Sequence, residues 1–164
     1  MLNYSLLSLA MQWFLVCRGR TTRHKTAYAI YIDIGDWAMP WRVEHDAELG
    51  IVRAIYFGRV TANEFKAGTL ETIALMDAHG INLLLIDDTE VELAVSTNDI
   101  FEMPQFYENV RAMRSTRWAL VHPSDPAAIK HFRFYENVCR NRGWLVKLFS
   151  DRQAALDWLL TEPG

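Results

Sequence analysis

The chain has 164 residues, 51% hydrophobic and 23% charged, a composition that suits one packed domain and excludes a disordered or fibrous chain. A net charge of −3 lacks the basic excess that a nucleic-acid-binding face needs, so no nucleic-acid partner is expected. Its two cysteines, Cys17 and Cys139, are too few for a disulfide framework or a thiolate metal site, which points to a reduced, cytoplasmic setting.

Residues 1–38 differ in character from everything after them. Met1 to Cys17 holds no charged residue, and its apolar run from Leu6 to Val16 is followed at once by Arg18, Arg20, Arg23, His24 and Lys25. A secretory signal carries its positive charge ahead of the apolar stretch, the reverse of this order. The span is at or below the usual lower limit of about 17 residues for crossing a bilayer. Three readings stay open for this extension: a start misassigned ahead of Met39, a membrane-associating segment, and an ordered extra element. Membrane association is expected only if the segment is genuine. These residues carry four Lys or Arg and two Asp, so residues 39–164 have a net charge of −5.

From Trp41 onward the pattern is regular. Trp41 to Asp46 alternates as a strand, Ala47-Glu48-Leu49-Gly50 supplies a turn, and Ile51 to Gly58 returns as the second strand of a hairpin. Thr61-Ala62-Asn63-Glu64 spells a capping box: the Thr61 hydroxyl accepts a helix N–H while Glu64 reaches back. The helix it opens sets Phe65, Thr69, Ile73 and Met76 on one face, and Gly80 closes it. Ile81 to Ile86 is a continuous apolar run, the mark of a strand covered on both faces, and it ends at Asp87-Asp88.

After Thr89 to Val95, Ser96 or Thr97 can cap a helix running toward Met113, which Pro104 should bend or restart. Trp118 to Val121 is the next buried strand and stops at His122-Pro123-Ser124-Asp125. A helix over about Ala127–Arg142 turns Phe132, Tyr135, Val138 and Cys139 inward. Leu145 to Phe149 is the last strand. Ser150 then caps a final helix with Ala154, Ala155 or Leu156, and Leu159 inward. The alternation predicts a single α/β domain over 39–164, with a mainly parallel sheet, an N-terminal β-hairpin edge strand and four helices.

Several strings now stand together: Glu48-Leu49-Gly50-Ile51-Val52-Arg53, the Gly58 to Glu64 junction, Asn141-Arg142-Gly143-Trp144, and Phe149-Ser150-Asp151 through Ala155-Leu156-Asp157-Trp158-Leu159. Over nearly all of residues 40–161 the chain resembles the SpoIIAA-like proteins of the STAS (sulfate transporter and anti-sigma-factor antagonist) superfamily. The resemblance implies a four- or five-stranded sheet with helices, used for protein–protein regulation or ligand sensing rather than catalysis, and a start near Met39. In anti-sigma-factor antagonists a serine after the third strand is phosphorylated by a partner kinase. The matching stretch here, Asp87 to Asp99, offers Ser96 and Thr97 as candidate phosphorylation sites, and it lacks the Asp-Ser-Ser-Gly type of signature.

Open α/β sheets bind ligands beyond the carboxyl ends of their parallel strands. That edge is expected to gather Asp87, Asp88, His122, Ser124, Asp125, Ser150 and Asp151. Phe101, Met103, Phe106 and Tyr107 are denser than one helical stripe requires, and they mark a surface for a protein partner or a hydrophobic ligand. An Asp, a His and a Ser at one edge also suggest a hydrolase with His122 as base. No Gly-x-Ser-x-Gly elbow occurs, however, and helix capping accounts for Ser124, Ser150 and Asp151. No histidine pair stands at zinc-ligand spacing, so neither metal nor cofactor is expected.

The residues therefore describe a non-enzymatic regulatory or interaction domain with a protein partner on the Asp87 to Tyr107 surface. The alternative is a small hydrophobic ligand or lipid held between the sheet edge and the Phe101–Tyr107 helix. A hydrolase using His122 is the third reading.

Overall fold

Backbone pairing in the computed structural model, which describes residues 39–161, begins with the hairpin of β1 (Trp41–Asp46) and β2 (Ile51–Thr61). The remaining elements alternate in the chain order α1 (Ala62–His79), β3 (Leu83–Ala94), α2 (Thr97–Asn109), β4 (Arg117–Val121), α3 (Pro126–Asn141), β5 (Leu145–Phe149) and α4 (Arg152–Leu160). The strands lie side by side as β1-β2-β3-β4-β5. β1 is antiparallel to β2, and every later neighbour is parallel. This is an α/β fold: a mainly parallel five-stranded sheet with a hairpin edge, and four helices among the described residues. No helix among the described residues is long and apolar enough to cross a membrane.

The period-two alternation of a strand sends successive side chains to opposite faces, and here that divides the core in two. Leu84 and Trp118 face a large cluster with Val52, Ala54, Tyr56, Met76, Met103, Tyr107, Cys139 and Trp144. Their neighbours Leu85 and Ala119 face the other way, into a smaller cluster with Ile51, Val121, Ala155 and Leu159 of α4. Each fully buried Leu, Ile or Val in these clusters contributes about 1.5–3 kcal/mol relative to exposure. The apolar run that opens β3 is covered on both sides because α1, α2 and α3 carry residues of the first cluster and α4 those of the second.

Local chemistry sets the helix ends. The Thr61 capping box forms as expected, with Glu64 N–H donating to Thr61 Oγ1 at 3.4 Å and Thr61 N–H donating to Glu64 Oε2 at 2.7 Å. Gly80 closes α1 at φ 65°, a conformation other residues resist because of Cβ crowding. α2 runs unbroken through Pro104 and stops at Asn109, short of Met113. Asp125 and Asp151, rather than Ser124 and Ser150, cap α3 and α4; their carboxylates accept from Ala128 N–H at 2.8 Å and Ala154 N–H at 2.9 Å. Pro126 at the first helical position explains the first of these shifts, because its missing N–H and preset φ suit that position and leave the cap to the residue before it.

The largest departure from expectation is the length of β3. It does not end at Asp87-Asp88 but continues to Ala94, so both aspartates lie within the strand. Beyond Asp87 the strand has lost β4, whose pairing ends at Val121, yet β2 still supplies a parallel partner. After an irregularity between Ile55 and Phe57, Phe57 to Thr61 pair with Glu90 to Ala94. Backbone hydrogen bonding carries the polar-apolar stretch after Asp88 into the sheet, where side-chain pattern alone ends the strand at Asp87-Asp88.

Candidate functional site

The alternation that divides the core also separates the two aspartates. Asp87 points to the α4 side, where it pairs with the Arg152 guanidinium and accepts from Thr89 Oγ1 at 2.7 Å and Thr89 N–H at 3.2 Å. Burial pushes its pKa up, but these hydrogen bonds and the Arg152 charge together outweigh burial and hold it below the ordinary carboxylate value. Asp88 points to the opposite face, among α1, α2 and α3. It is 1% exposed, and its Oδ1 has no hydrogen-bond partner among the described residues. Burial, reinforced by the neighbouring Asp87, pushes its pKa well above the ordinary value, so the group is held toward its neutral acid form.

Asp88 lines a partly open cavity of about 80 Å³. The sheet supplies Tyr56, Ile86, Asp88, Leu93 and Leu120; α1 supplies Ala62, Phe65 and Thr69. Ile100, Met103 and Tyr107 of α2 form a second wall, and His131, Phe132 and Tyr135 of α3 a third. The Tyr56 and Phe65 rings lie 4.8 Å apart, and the Tyr107 and Tyr135 hydroxyls share a hydrogen bond of 2.7 Å. Burial raises the pKa of all three tyrosines, so each hydroxyl stays protonated and able to donate or accept. His131 donates from Nδ1 to the Ala127 carbonyl at 3.1 Å, which leaves Nε2 as the free ring nitrogen. A smaller cavity of about 40 Å³, bordered by Trp118 and Met76, shares Tyr56, Thr69, Ile86, Tyr107 and Tyr135 with the first.

Apolar walls with a few convergent polar groups are the composition of a small-molecule site. An engineered cavity of roughly 150 Å³ admits benzene. At about 80 Å³ the partly open cavity here suits something smaller, or requires α2 to yield.

Of the residues expected to form a working surface, the structure brings Asp88, Met103 and Tyr107 together in this cavity. Asp87 lies on the other face of the sheet. Phe101 is 51% exposed on the outside of α2, beneath the Arg142 guanidinium at 4.9 Å. Phe106 is half-buried, with the Lys66 ammonium 5.9 Å from its ring. Ser96 is the N-cap of α2; its hydroxyl donates to Asp99 Oδ2 at 2.7 Å and accepts from Asp99 N–H at 3.2 Å, while Thr97 begins the helix. Both are exposed.

The hydrolase geometry is not assembled. The His122 imidazole donates from Nδ1 to the carbonyl of Pro123 at 2.8 Å, and among the described residues no Ser or Asp side chain hydrogen-bonds to it. Ser124 is exposed beside the α3 cap. Among the described residues no three metal-ligating side chains gather.

Tyr56, Phe65, Thr69, Phe132 and Tyr135 are among the other residues that line the cavity, and they were not expected there. One signal existed: the predicted inward faces of the first and third helices mix apolar residues with the polar-tipped Thr69 and Tyr135. A purely structural face has less use for such groups.

The described residues thus form an α/β domain with a mainly apolar, partly open cavity of about 80 Å³ between the sheet and three helices. In structure the chain is similar to an uncharacterized protein from the DUF3478 family with a SpoIIAA-like fold, from Shewanella loihica PV-4. The identity is 19%, covering 73% of this chain and 91% of that chain, with a TM-score of 0.48. No protein-family model matches the chain, and no curated protein matches it.

Proposed function

We propose that this domain is a non-enzymatic sensor that binds a small, mainly apolar molecule in the Asp88 cavity and reports its presence to a protein partner. The observation that carries this reading is a buried carboxyl without a hydrogen-bond partner on Oδ1 among the described residues, set in a mainly apolar, partly open cavity. Leaving a buried polar group unsatisfied costs about 1–3 kcal/mol, a cost that a ligand hydrogen bond would recover. α2 is the link to a partner. Ile100, Met103 and Tyr107 on its inner side touch the cavity, while Phe101 on its outer side is exposed.

Ser96 and Thr97, at the exposed start of the same helix, are where modification would act on that surface. A phosphate on Ser96 would replace its hydrogen bond to Asp99 with like-charge repulsion and loosen the α2 cap.

The test is a fragment screen followed by backbone amide NMR. Neutral and charged fragments should shift amides of Tyr56, Thr69, Ile86, Met103 and His131 as a group, with those of Phe101 following. Shifts scattered over the outer surface, with the cavity amides silent, would exclude the reading.

A further inference from the structure

The lining of the cavity carries a bias of charge and ring chemistry that selects among apolar ligands. Among the described residues its two carboxyl groups are those of Asp88 and Asp99, its one nitrogen side chain is the His131 imidazole, and no Lys or Arg lines it. The Lys66 ammonium sits outside the lining, over Phe106. Five of its residues are aromatic: Tyr56, Phe65, Tyr107, Phe132 and Tyr135. We propose that the ligand is a small organic cation, an alkylammonium whose charged head meets the Asp88 carboxyl and whose carbon body packs against these rings.

This inference rests on the reading of the cavity as a ligand site and specifies the ligand's class. Three observations converge on it. Asp88 Oδ1 is buried and unpaired among the described residues, so an N–H donor entering the cavity finds an acceptor that none of them occupies. Aromatic faces carry negative quadrupole density and attract a desolvated ammonium within about 6 Å of the ring centre. A carboxylate ligand would find the opposite: two acidic side chains, aromatic faces and neither Lys nor Arg, with the His131 imidazole the one nitrogen side chain among the described lining residues. The free acid form of Asp88 fits the unliganded cavity, since an ionised carboxylate there would lack a counter-charge. When the ammonium enters, the carboxyl gives up its proton to solvent and the two groups form a buried, hydrogen-bonded ion pair, the arrangement a buried charge requires. The cavity volume of about 80 Å³ limits the body to a short chain.

The experiment uses the full-length protein and three probes of one shape and different charge: butylammonium, butanol and butyrate. Affinities are read from amide shifts of the cavity residues. Butylammonium should bind at least about tenfold more tightly than butanol, a ratio equivalent to one strong charge-assisted contact, with butyrate weakest. In Asp88→Asn the ratio of butylammonium to butanol affinity should collapse to near parity. Butanol or butyrate binding in the cavity as tightly as butylammonium would overturn the cationic class and leave the ligand-site reading standing. Three silent probes would overturn both. An ammonium preference that survives Asp88→Asn would overturn the assignment of Asp88 as its counter-ion. The wild-type ranking decides the ligand class by itself should the variant fail to fold.

Discussion

Replacing Asp88 by Asn tests whether the carboxyl at the centre of the cavity is neutral in the folded protein. Asp88 is 1% exposed, and burial first, then the neighbouring Asp87, pushes its pKa well above the ordinary value. In the unfolded chain the same carboxyl ionises near about pH 4, so above that pH folding must take up a proton. Uptake costs about 1.4 kcal/mol for each pH unit between the unfolded and the folded pKa. Because the folded value is the higher one, the stability associated with this group is fully present below about pH 4, falls as pH rises, and levels off once the folded pKa is passed. Asn has nearly the same shape and does not titrate. Its amide adds buried donors whose cost, about 1–3 kcal/mol, displaces the variant's curve without tilting it. The decisive quantity is therefore the slope of the difference. Urea unfolding of both proteins at intervals from about pH 4 to pH 7 should show the variant gaining on the wild type by about 1.4 kcal/mol per unit just above the ordinary carboxylate value. Parallel stability curves across that range would refute the reasoning, because Asp88 would then be as ionised in the folded chain as in the unfolded one.

Asp87 should behave in the opposite sense: held low in the folded protein by Thr89 and Arg152, it favours folding above about pH 4. The advantage of the wild type over Asp87→Asn in the same unfolding series should shrink as pH falls through the folded value. Tyr107→Phe removes one end of the hydrogen bond to Tyr135 and should cost about 1–3 kcal/mol by stranding the other hydroxyl. The double variant with Tyr135→Phe should cost less than the sum of the two single variants, as a double-mutant cycle by denaturant unfolding will show. Gly68→Ala would place a Cβ 2.5 Å from the Tyr56 hydroxyl. Overpacking of that kind typically costs about 1–3 kcal/mol, and the easiest relief is for the Tyr56 ring to move into the cavity. Calorimetry should show a lower Tm, and the butanol titration a weaker site.

The element order, the hairpin, the Thr61 box and the last strand were legible in the chain because each rests on interactions within a few residues. Thr61 and Glu64 satisfy each other over one helical turn, Gly80 stops a helix through its own backbone freedom, and Leu145 to Phe149 is bounded by its own neighbours. The inward residues of α3 were legible too, since Phe132, Val138 and Cys139 follow the helical repeat. The extent of β3 was not. Residues 90–94 join the sheet because β2 runs on beside them, and no local pattern reports what a distant strand does. The caps of α3 and α4 slipped by one residue for a smaller reason: serine and aspartate both cap well, so neighbouring candidates compete, and at α3 Pro126 in the first helical position settles the choice on Asp125.

The candidate site shows the same division. Two adjacent aspartates are visible in the chain, and their alternation already places them on opposite faces of any strand that contains them. Which face meets Arg152 and which meets a ring of tyrosines depended on where α4 and α1 to α3 settled against the sheet. Periodicity and capping are short-range consequences of backbone geometry, and they travel with the sequence. The cavity around Asp88, its missing partner and its charge bias arise from side chains on three strands and three helices, some 79 positions apart from Tyr56 to Tyr135. Only packing could bring those groups together.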